Sequence, residues 1–350
     1  TRGAALALKS RLLLYAASDL WNTESWAQGY SHPELIVLNK KDRKERWAEA
    51  AAAAKAVIDL SAQAGYELMS RYTDLGKVYQ SPELILVRRI NGNTNTFEKL
   101  NFPAGFPNGE GRVTPSQNLV DAYEMTDGSK FDWNNPEHAA NPYANRDPRL
   151  ALTVYMNGAS FQNTTIETFE GGAHKNIKNG TLTGYYLRKF VDSNINLVTN
   201  GTSNHPWVIF RISEIYLNYA EACCELDDIG TAINYVNKIR LRAGIPEYKG
   251  LLAEDLTPTD KRGFERITLD SYDKEFVKKV IYRERLLELS YENHHYFDVR
   301  RWGVADMATG DGWIYPSWHN GGEGGDMVGF DVTVDMASDD AKDPLLFYKR

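Results

Sequence analysis

The chain has 350 residues, of which 42% are hydrophobic and 25% charged, so it can bury a large core in one big domain or two ordinary ones. Its net charge is −7 and its basic residues are interspersed with acidic ones, which leaves no basic stripe for a phosphate backbone and argues against nucleic acid as a partner. No apolar run reaches the roughly 18 residues that a membrane-spanning helix needs.

The first segment of the chain predicts two paired helices. Apolar residues recur at intervals of three and four and predict one buried stripe, formed by Ala4, Ala5, Leu8, Leu12 and Tyr15. A second helix is predicted to open at Asp42 and to contain the alanine run at 50–54. Because small side chains let helices approach closely, we expect a tight antiparallel hairpin.

From residue 81 the pattern changes to short β-prone runs, such as 84–90 and 150–155, separated by Asn, Gly and Pro clusters. A connection of this length cannot be structureless within a compact protein. We therefore predict an ordered insertion, and long ordered loops on a rigid scaffold are where binding sites are often found.

Helical periodicity returns at residue 209 and predicts a helix pair that ends at Gly244 and Pro246. The segment 216–246 resembles a tetratricopeptide repeat in the spacing of Tyr216, Ala220 and Ala232, although any helical hairpin remains an alternative.

Two further features belong to the predicted helices of this half. The only cysteines, Cys223 and Cys224, are helix neighbours whose side chains point about 100° apart, so we predict small buried residues rather than a disulfide or a metal site. A last long helix is predicted over 273–293, and Glu284 and Glu288 alternate with arginines along it in a pattern typical of salt-bridged faces.

Five segments occur together in an order that is typical of one protein family. In chain order they read GAALALKSRLLLYAASDLWN (3–22), YEMTDG (123–128), NRDPRL (145–150), FRISEIYLNYAEACCELDD (210–228) with the INYVNKIRLRAGIP run (233–246) after it, and YRERLLELSYENHHYFDVRRWG (282–303). Together they resemble the SusD/RagB family of outer-surface glycan-binding lipoproteins. The resemblance covers nearly the whole chain, and its specificity lies in the order of the segments.

The resemblance implies a mainly α-helical fold, a right-handed superhelix of helix pairs similar to tetratricopeptide repeats, with a large loop-rich insertion that contains short β-strands. The implied organisation is a single SusD-like domain. Within it, we expect a helical scaffold over 1–80 and 205–303, a ligand-binding region over 81–204, and an irregular C-terminal segment over 304–350 packed on the scaffold.

The resemblance also implies a function. Proteins of this kind bind oligo- or polysaccharide without catalysis and deliver it to a TonB-dependent SusC-like transporter of the outer membrane, without a cofactor. They are held at the extracellular face by a lipid anchor. Because the chain opens into a helix at Thr1 without a leader, we interpret it as a fragment whose export signal and anchor would lie upstream.

A carbohydrate site requires exposed rings that stack on sugar C–H groups and polar side chains that bind hydroxyls. Aromatic residues make up 12% of the chain, and many lie in loops. The predicted ligand-binding residues, in decreasing order of preference, are Trp133, Phe131, Asp132 and Asn134 in one short loop, then Tyr143 and Phe161 on similar loops, and finally Trp21 near the first helix.

Several charged residues could suggest catalysis, but simpler interpretations fit them. His294 and His295 are adjacent, so they cannot share one helical face as paired zinc ligands do. Asp298, Arg301 and Trp302, together with Arg300, are interpreted as a structural salt-bridge and cation–π knot. We therefore expect no enzymatic activity, and the alternative left open is a helical-repeat scaffold that binds a peptide, a protein or a glycopeptide.

Overall fold

The computed structural model describes residues 1–23, 29–38, 41–70, 72–89, 94–175, 177–203, 205–248 and 274–303. They divide into two compact units. Unit 1 is built from Thr1–Ser70, Gln80–Val87 and Val208–Asp306, and unit 2 contains Arg71–Tyr79 and Arg88–Trp207. The predicted C-terminal segment, 304–350, lies outside the described residues.

Helices dominate the described part of the chain, which confirms the predicted fold class. In chain order the α-helices are α1 (Arg2–Ala17), α2 (Asp19–Asn22), α3 (Arg43–Ala64), α4 (Thr96–Asn101), α5 (Gln117–Ala122), α6 (Pro136–Ala140), α7 (Pro148–Thr153), α8 (Ile212–Glu225), α9 (Ile229–Ala243), α10 (Lys274–Glu288) and α11 (His295–Arg301). None of these helices is both long and apolar enough to cross a bilayer.

The strands are short and pair in twos. In chain order they are β1 (Leu84–Arg88), β2 (Val154–Tyr155), β3 (Ser160–Phe161), β4 (Thr164–Thr165), β5 (Tyr186–Leu187) and β6 (Trp207–Arg211). Among the described residues β1 pairs with β6, β2 with β5 and β3 with β4. The last two pairs are antiparallel and lie in unit 2.

Helices α1 and α3 form the predicted antiparallel hairpin in unit 1. Ala7 near the start of α1 packs with Ala54 and Val57, whereas Leu14 near its end packs with Trp47. The Asp42 side chain caps α3 by accepting from the amides of residues 44 and 45, as the sequence predicts. The alanine run lets the helices pack closely.

The predicted apolar face of α1 is wrong. Leu8 and Leu12 are 58% and 63% exposed, whereas the buried residues of the helix are Gly3, Ala7, Ser10, Leu14 and Ala17. The buried stripe is therefore the one with the smaller side chains. Neighbouring residues approach this side of α1 so closely that only small side chains fit there: a Cβ added to Gly3 would overlap the Tyr66 hydroxyl.

Helices α8 and α9 form the second helix pair; its predicted end at Gly244 is confirmed, but α8 begins at Ile212 rather than at residue 209, because Trp207–Arg211 form strand β6. Asp228 caps α9 by accepting from the Thr231 amide, and Gly244 ends it in the left-handed conformation with φ of 81°. Both cysteines on α8 are buried, which confirms their predicted place in the packed core.

Two further elements have bounds that differ from the predicted ones. The last long helix ends at Glu288 rather than near residue 293, because the backbone turns left-handed at Tyr291 and Asn293, with φ of 61° and 64°. The run 150–155 was expected to be β-structure, but Asp147 caps a helix with Pro148 in its first turn, so only Val154 and Tyr155 are extended.

A buried network of charges joins α8, α10 and α11 in unit 1. Asp298 accepts from Arg285 Nε at 3.0 Å and from Arg301 Nε at 2.8 Å. Arg301 also binds Glu221, which accepts a hydrogen bond from the Trp302 indole at 2.8 Å. The predicted knot is present, except that Arg300 lies outside it and stacks on the exposed Tyr296 ring.

We predict that Leu14→Ala lowers the free energy of unfolding by about 2–5 kcal/mol, because it leaves a cavity between α1 and α3. Leu12→Ala on the same helix should change it by less than about 0.5 kcal/mol, since Leu12 is 63% exposed. Urea unfolding followed by circular dichroism measures both values. A cost for Leu12→Ala equal to that for Leu14→Ala would contradict the packing described for α1.

A second prediction concerns pH. Burial alone would raise the pKa of Asp298, but attraction by Arg285 and Arg301 outweighs it and holds that pKa well below its usual value. The ionised carboxyl therefore contributes stability that is fully present above about pH 4 and is lost as the pH falls further. Asp298→Asn should be destabilised at pH 7, and its deficit relative to the wild-type chain should shrink below pH 4 in parallel urea titrations. A deficit that does not change with pH would argue against an ionised Asp298.

Candidate functional site

The loop with the preferred candidate residues lies in unit 2, between α5 and α6. Asp132 accepts from the backbone and side-chain nitrogens of Asn134, at 2.8 and 3.1 Å, and both residues are exposed. Asn135 then caps α6 by accepting from the Glu137 amide at 3.0 Å. The polar side chains that were predicted to bind a ligand thus also build the turn and hold it in shape.

Phe131 is buried, with 4% of its surface exposed. The Arg146 guanidinium lies 4.0 Å from its ring centroid, and the His138 ring is stacked at 5.4 Å. The Trp133 ring meets it edge-on at 4.8 Å. The expectation that Phe131 offers a ring to a ligand is therefore wrong, and Phe131 instead supports Trp133 from below the surface.

Trp133 is partly exposed, and its indole nitrogen is bonded inside the protein. Nε1 donates to Asp121 Oδ1 at 3.1 Å. Because this N–H group is occupied, a ligand at Trp133 would meet the carbon surface of the ring. That surface is the part of the indole that stacks on apolar faces of other molecules.

A chain of hydrogen bonds leads from Asp121 to a second aromatic candidate. Gln117 Nε2 donates to Asp121 Oδ1 at 2.8 Å, and Gln117 Oε1 accepts from the Tyr185 hydroxyl at 2.8 Å. The Tyr143 hydroxyl in turn donates to the Tyr185 hydroxyl at 3.3 Å. With Trp133 these residues form a set of five that we call the 133–143 network: Gln117, Asp121, Trp133, Tyr143 and Tyr185. It joins two of the predicted ligand-binding rings, both partly exposed, through partners on α5 and beside β5.

The network contains a perturbed acid. Burial raises the pKa of Asp121 to about 6, although hydrogen bonds from Gln117 and Trp133 act in the opposite direction. Burial also lowers the pKa of the neighbouring Arg146 to about 10. The Arg146 guanidinium donates hydrogen bonds to the backbone carbonyls of Val120, Tyr123 and Pro142.

The remaining candidates do not join this network. Phe161 is 1% exposed and packs edge-on against Phe102, Phe106 and Tyr155, so its predicted ligand-facing role is wrong. Phe side chains are often fully buried, because they carry no polar group that must reach water. Trp21 belongs to unit 1, where it is 38% exposed.

Some exposed and network residues were not predicted from the sequence. Tyr296 and Phe297 on α11 are 53% and 50% exposed, and their rings meet edge-on at 5.2 Å. In unit 2, Phe169 is 45% exposed. Asp121 and Gln117 carry one sequence signal, a spacing of four within a helix, but nothing in the sequence links them to Trp133 or Tyr185.

The chemistry available around the network is stacking and hydrogen bonding. Among the described residues, no group of three or more His, Cys, Asp or Glu side chains is arranged to hold a metal ion. His294, one of the histidines considered above, is buried in unit 1 with Nε2 3.9 Å from Glu214 Oε2.

Solved structures share this fold. A SusD-like protein from Bacteroides fragilis matches with a TM-score of 0.65 and 26% identity, over 87% of this chain and 55% of that one. A SusD-like carbohydrate binding protein from the same species matches with a TM-score of 0.63 and 21% identity, over 87% and 52% of the two chains.

The sequence comparisons agree with the structural ones. SusD-like protein P25 from Formosa agariphila is 26% identical over an alignment of 170 residues, and the match covers 44% of this chain and 29% of that protein. The chain thus spans only part of the length of the relatives that it matches. The profile of the SusD family matches residues 82–336, which is more than half of the chain. The chain therefore belongs to the SusD family.

Proposed function

We propose that the chain binds oligo- or polysaccharide without catalysis, and that the 133–143 network forms the centre of the site. The observation that carries the proposal is that Trp133 and Tyr143, both partly exposed, are tied to one chain of hydrogen bonds through the half-buried Asp121 and the buried Gln117 and Tyr185. Two fixed rings are suited to the apolar faces of a sugar chain.

Polar groups next to Trp133 supply the second requirement of a carbohydrate site. The exposed Asp132 and Asn134 side chains stand in the same turn as the ring and are already oriented by their mutual hydrogen bonds. Hydroxyl groups of a bound sugar would exchange bonds to water for bonds to these side chains, so the net gain per bond is only about 1 kcal/mol. We expect a dissociation constant in the range of roughly micromolar to millimolar.

The cellular role follows from the family. We propose that the protein acts at the extracellular face of the outer membrane, is held there by a lipid anchor, and passes captured glycan to a TonB-dependent SusC-like transporter. The SusD-family match and the similarity to a solved carbohydrate binding protein support this role. Co-purification of the tagged protein with such a transporter from native membranes tests it, and its repeated absence under mild detergent would count against the delivery step.

One observation favours the alternative of a scaffold for peptides or proteins. Tyr296 and Phe297 offer two exposed rings on α11 of unit 1, and Arg300 lies 3.5 Å from the centre of the Tyr296 ring. Exposed aromatic and arginine side chains are enriched in protein interfaces. A glycan array without hits, together with peptide binding that is lost in a Tyr296→Ala/Phe297→Ala variant, would favour this alternative.

We predict that Trp133→Ala weakens binding of the strongest glycan-array hit by roughly 5- to 30-fold, because about 1–2 kcal/mol of stacking is removed. Calorimetry on the pure oligosaccharide measures the change. Trp133→Phe, which keeps a ring, should lose less affinity than Trp133→Ala.

Phe169→Ala is the matched control for this prediction. It removes an aromatic ring that is 45% exposed from the same unit but stands outside the 133–143 network, so affinity should stay the same. Circular dichroism checks that each variant is folded. Unchanged affinity in folded Trp133→Ala would refute the proposed site, even if the array confirms that the protein binds glycans.

A further inference from the structure

Asp121 is the branch point of the 133–143 network. One oxygen of its carboxyl, Oδ1, accepts from both Trp133 Nε1 at 3.1 Å and Gln117 Nε2 at 2.8 Å. Through Gln117 the same group fixes Tyr185 and then Tyr143. Asp121 therefore connects the hydrogen bonds of both rings, directly to Trp133 and through Gln117 and Tyr185 to Tyr143.

We propose that Asp121 is a positioning residue for carbohydrate binding: its ionised carboxyl holds the rings of Trp133 and Tyr143 in the arrangement that a sugar chain contacts. The inference rests on the proposed function. Asp121 need not touch the sugar, since it acts through the indole N–H and through Gln117. Hydrogen bonds to an ionised acceptor are roughly twice as strong as those between neutral groups, so the charge of this carboxyl sets how firmly the rings are held.

The surroundings of Asp121 make that charge sensitive to pH. The positive groups that act on it are Arg146 and Lys130, and their attraction lowers its pKa less than burial raises it. Asp147, Tyr143 and Tyr185 lie near Arg146 in turn. His138 on α6 contacts the same loop, where its Nδ1 accepts from the Asp132 amide at 3.1 Å and its ring stacks on Phe131.

The sign of the pH effect follows from these contacts. Burial raises the pKa of Asp121 to about 6, so the carboxyl is ionised at pH 7.5 and takes up a proton at pH 5. The protonated carboxyl still accepts at one oxygen, but more weakly. Binding should therefore weaken as the pH falls through about 6, by roughly three- to tenfold.

The experiment uses calorimetry with the pure oligosaccharide that gives the strongest signal on the glycan array, at pH 7.5 and at pH 5. The wild-type chain should lose affinity at pH 5. Asp121→Asn keeps the acceptor oxygen without the charge, so at both pH values it should bind as the wild-type chain does at pH 5. Asp121→Ala removes the acceptor and should bind more weakly than Asp121→Asn at both.

Two further comparisons separate a positioning role from a general loss of structure. In a Trp133→Phe background the indole N–H is absent, so Asp121→Asn should cost clearly less affinity than it does in the wild-type background. Asp59→Asn removes an exposed carboxylate from α3, where it pairs with Lys55, and should leave both the affinity and its pH profile unchanged.

The outcomes distinguish this inference from the proposed function. If Trp133→Ala weakens binding but Asp121→Asn binds like the wild-type chain with the same pH profile, the positioning role is wrong and the site stands. The same holds if Asp121→Asn costs as much in the Trp133→Phe background. If Trp133→Ala leaves binding unchanged, or if the array yields no hit, the proposed site fails and the positioning role fails with it.

Discussion

The guanidinium of Arg211, at the end of β6, is one of several buried cations in unit 1 and lies at the centre of a cluster of carboxylates. It donates to Glu83, Glu288 and Glu292, and their attraction holds the pKa of Arg211 well above its usual value although burial acts against it. Glu83 directly precedes β1, the strand in which the chain leaves unit 1. Arg211 ends β6, the strand in which the chain returns to unit 1. The same charges therefore fix both attachment points of the long insertion. Loss of Arg211 would leave these buried carboxylates with too little positive charge beside them, which is why such clusters tolerate little change.

How far the fold could be predicted depends on whether its signals are local. Capping residues are local, so Asp42 and Gly244 correctly mark helix ends. The buried face of α1 is not local, because this helix carries apolar residues on several sides and its partner decides which of them is covered. The partner is rich in alanine and fits the side with Gly3 and Ala7, so the larger Leu8 and Leu12 remain exposed. Periodicity alone weighs leucine above glycine and selects the other face.

The candidate site also combines features that the local sequence predicts with features that depend on distant residues. Composition directs attention to aromatic loop residues of the insertion, but it cannot tell which rings point inward. The structure separates them by chemistry: Phe131 and Phe161 are buried, whereas Trp133 and Tyr143 remain partly exposed with their polar atoms bonded. Tyr and Trp need such partners when they are partly buried, and Phe does not. Those partners are distant in sequence, since Gln117 and Tyr185 are 68 positions apart, so no local pattern reveals them.

Aromatic rings whose polar atoms are hydrogen-bonded to other residues of the protein suit a protein that captures and then releases its ligand. Ordering loose side chains costs about 0.5–1.5 kcal/mol each on binding, and a network that already fixes both rings removes much of that cost. The gain is limited in turn, because the hydroxyls of a sugar give up good bonds to water for each bond to protein. In the proposed site, preorganised rings would therefore give useful affinity without slow release. The proposed role of a passive carrier requires this balance, since a ligand bound much more tightly could not be handed on without an input of free energy.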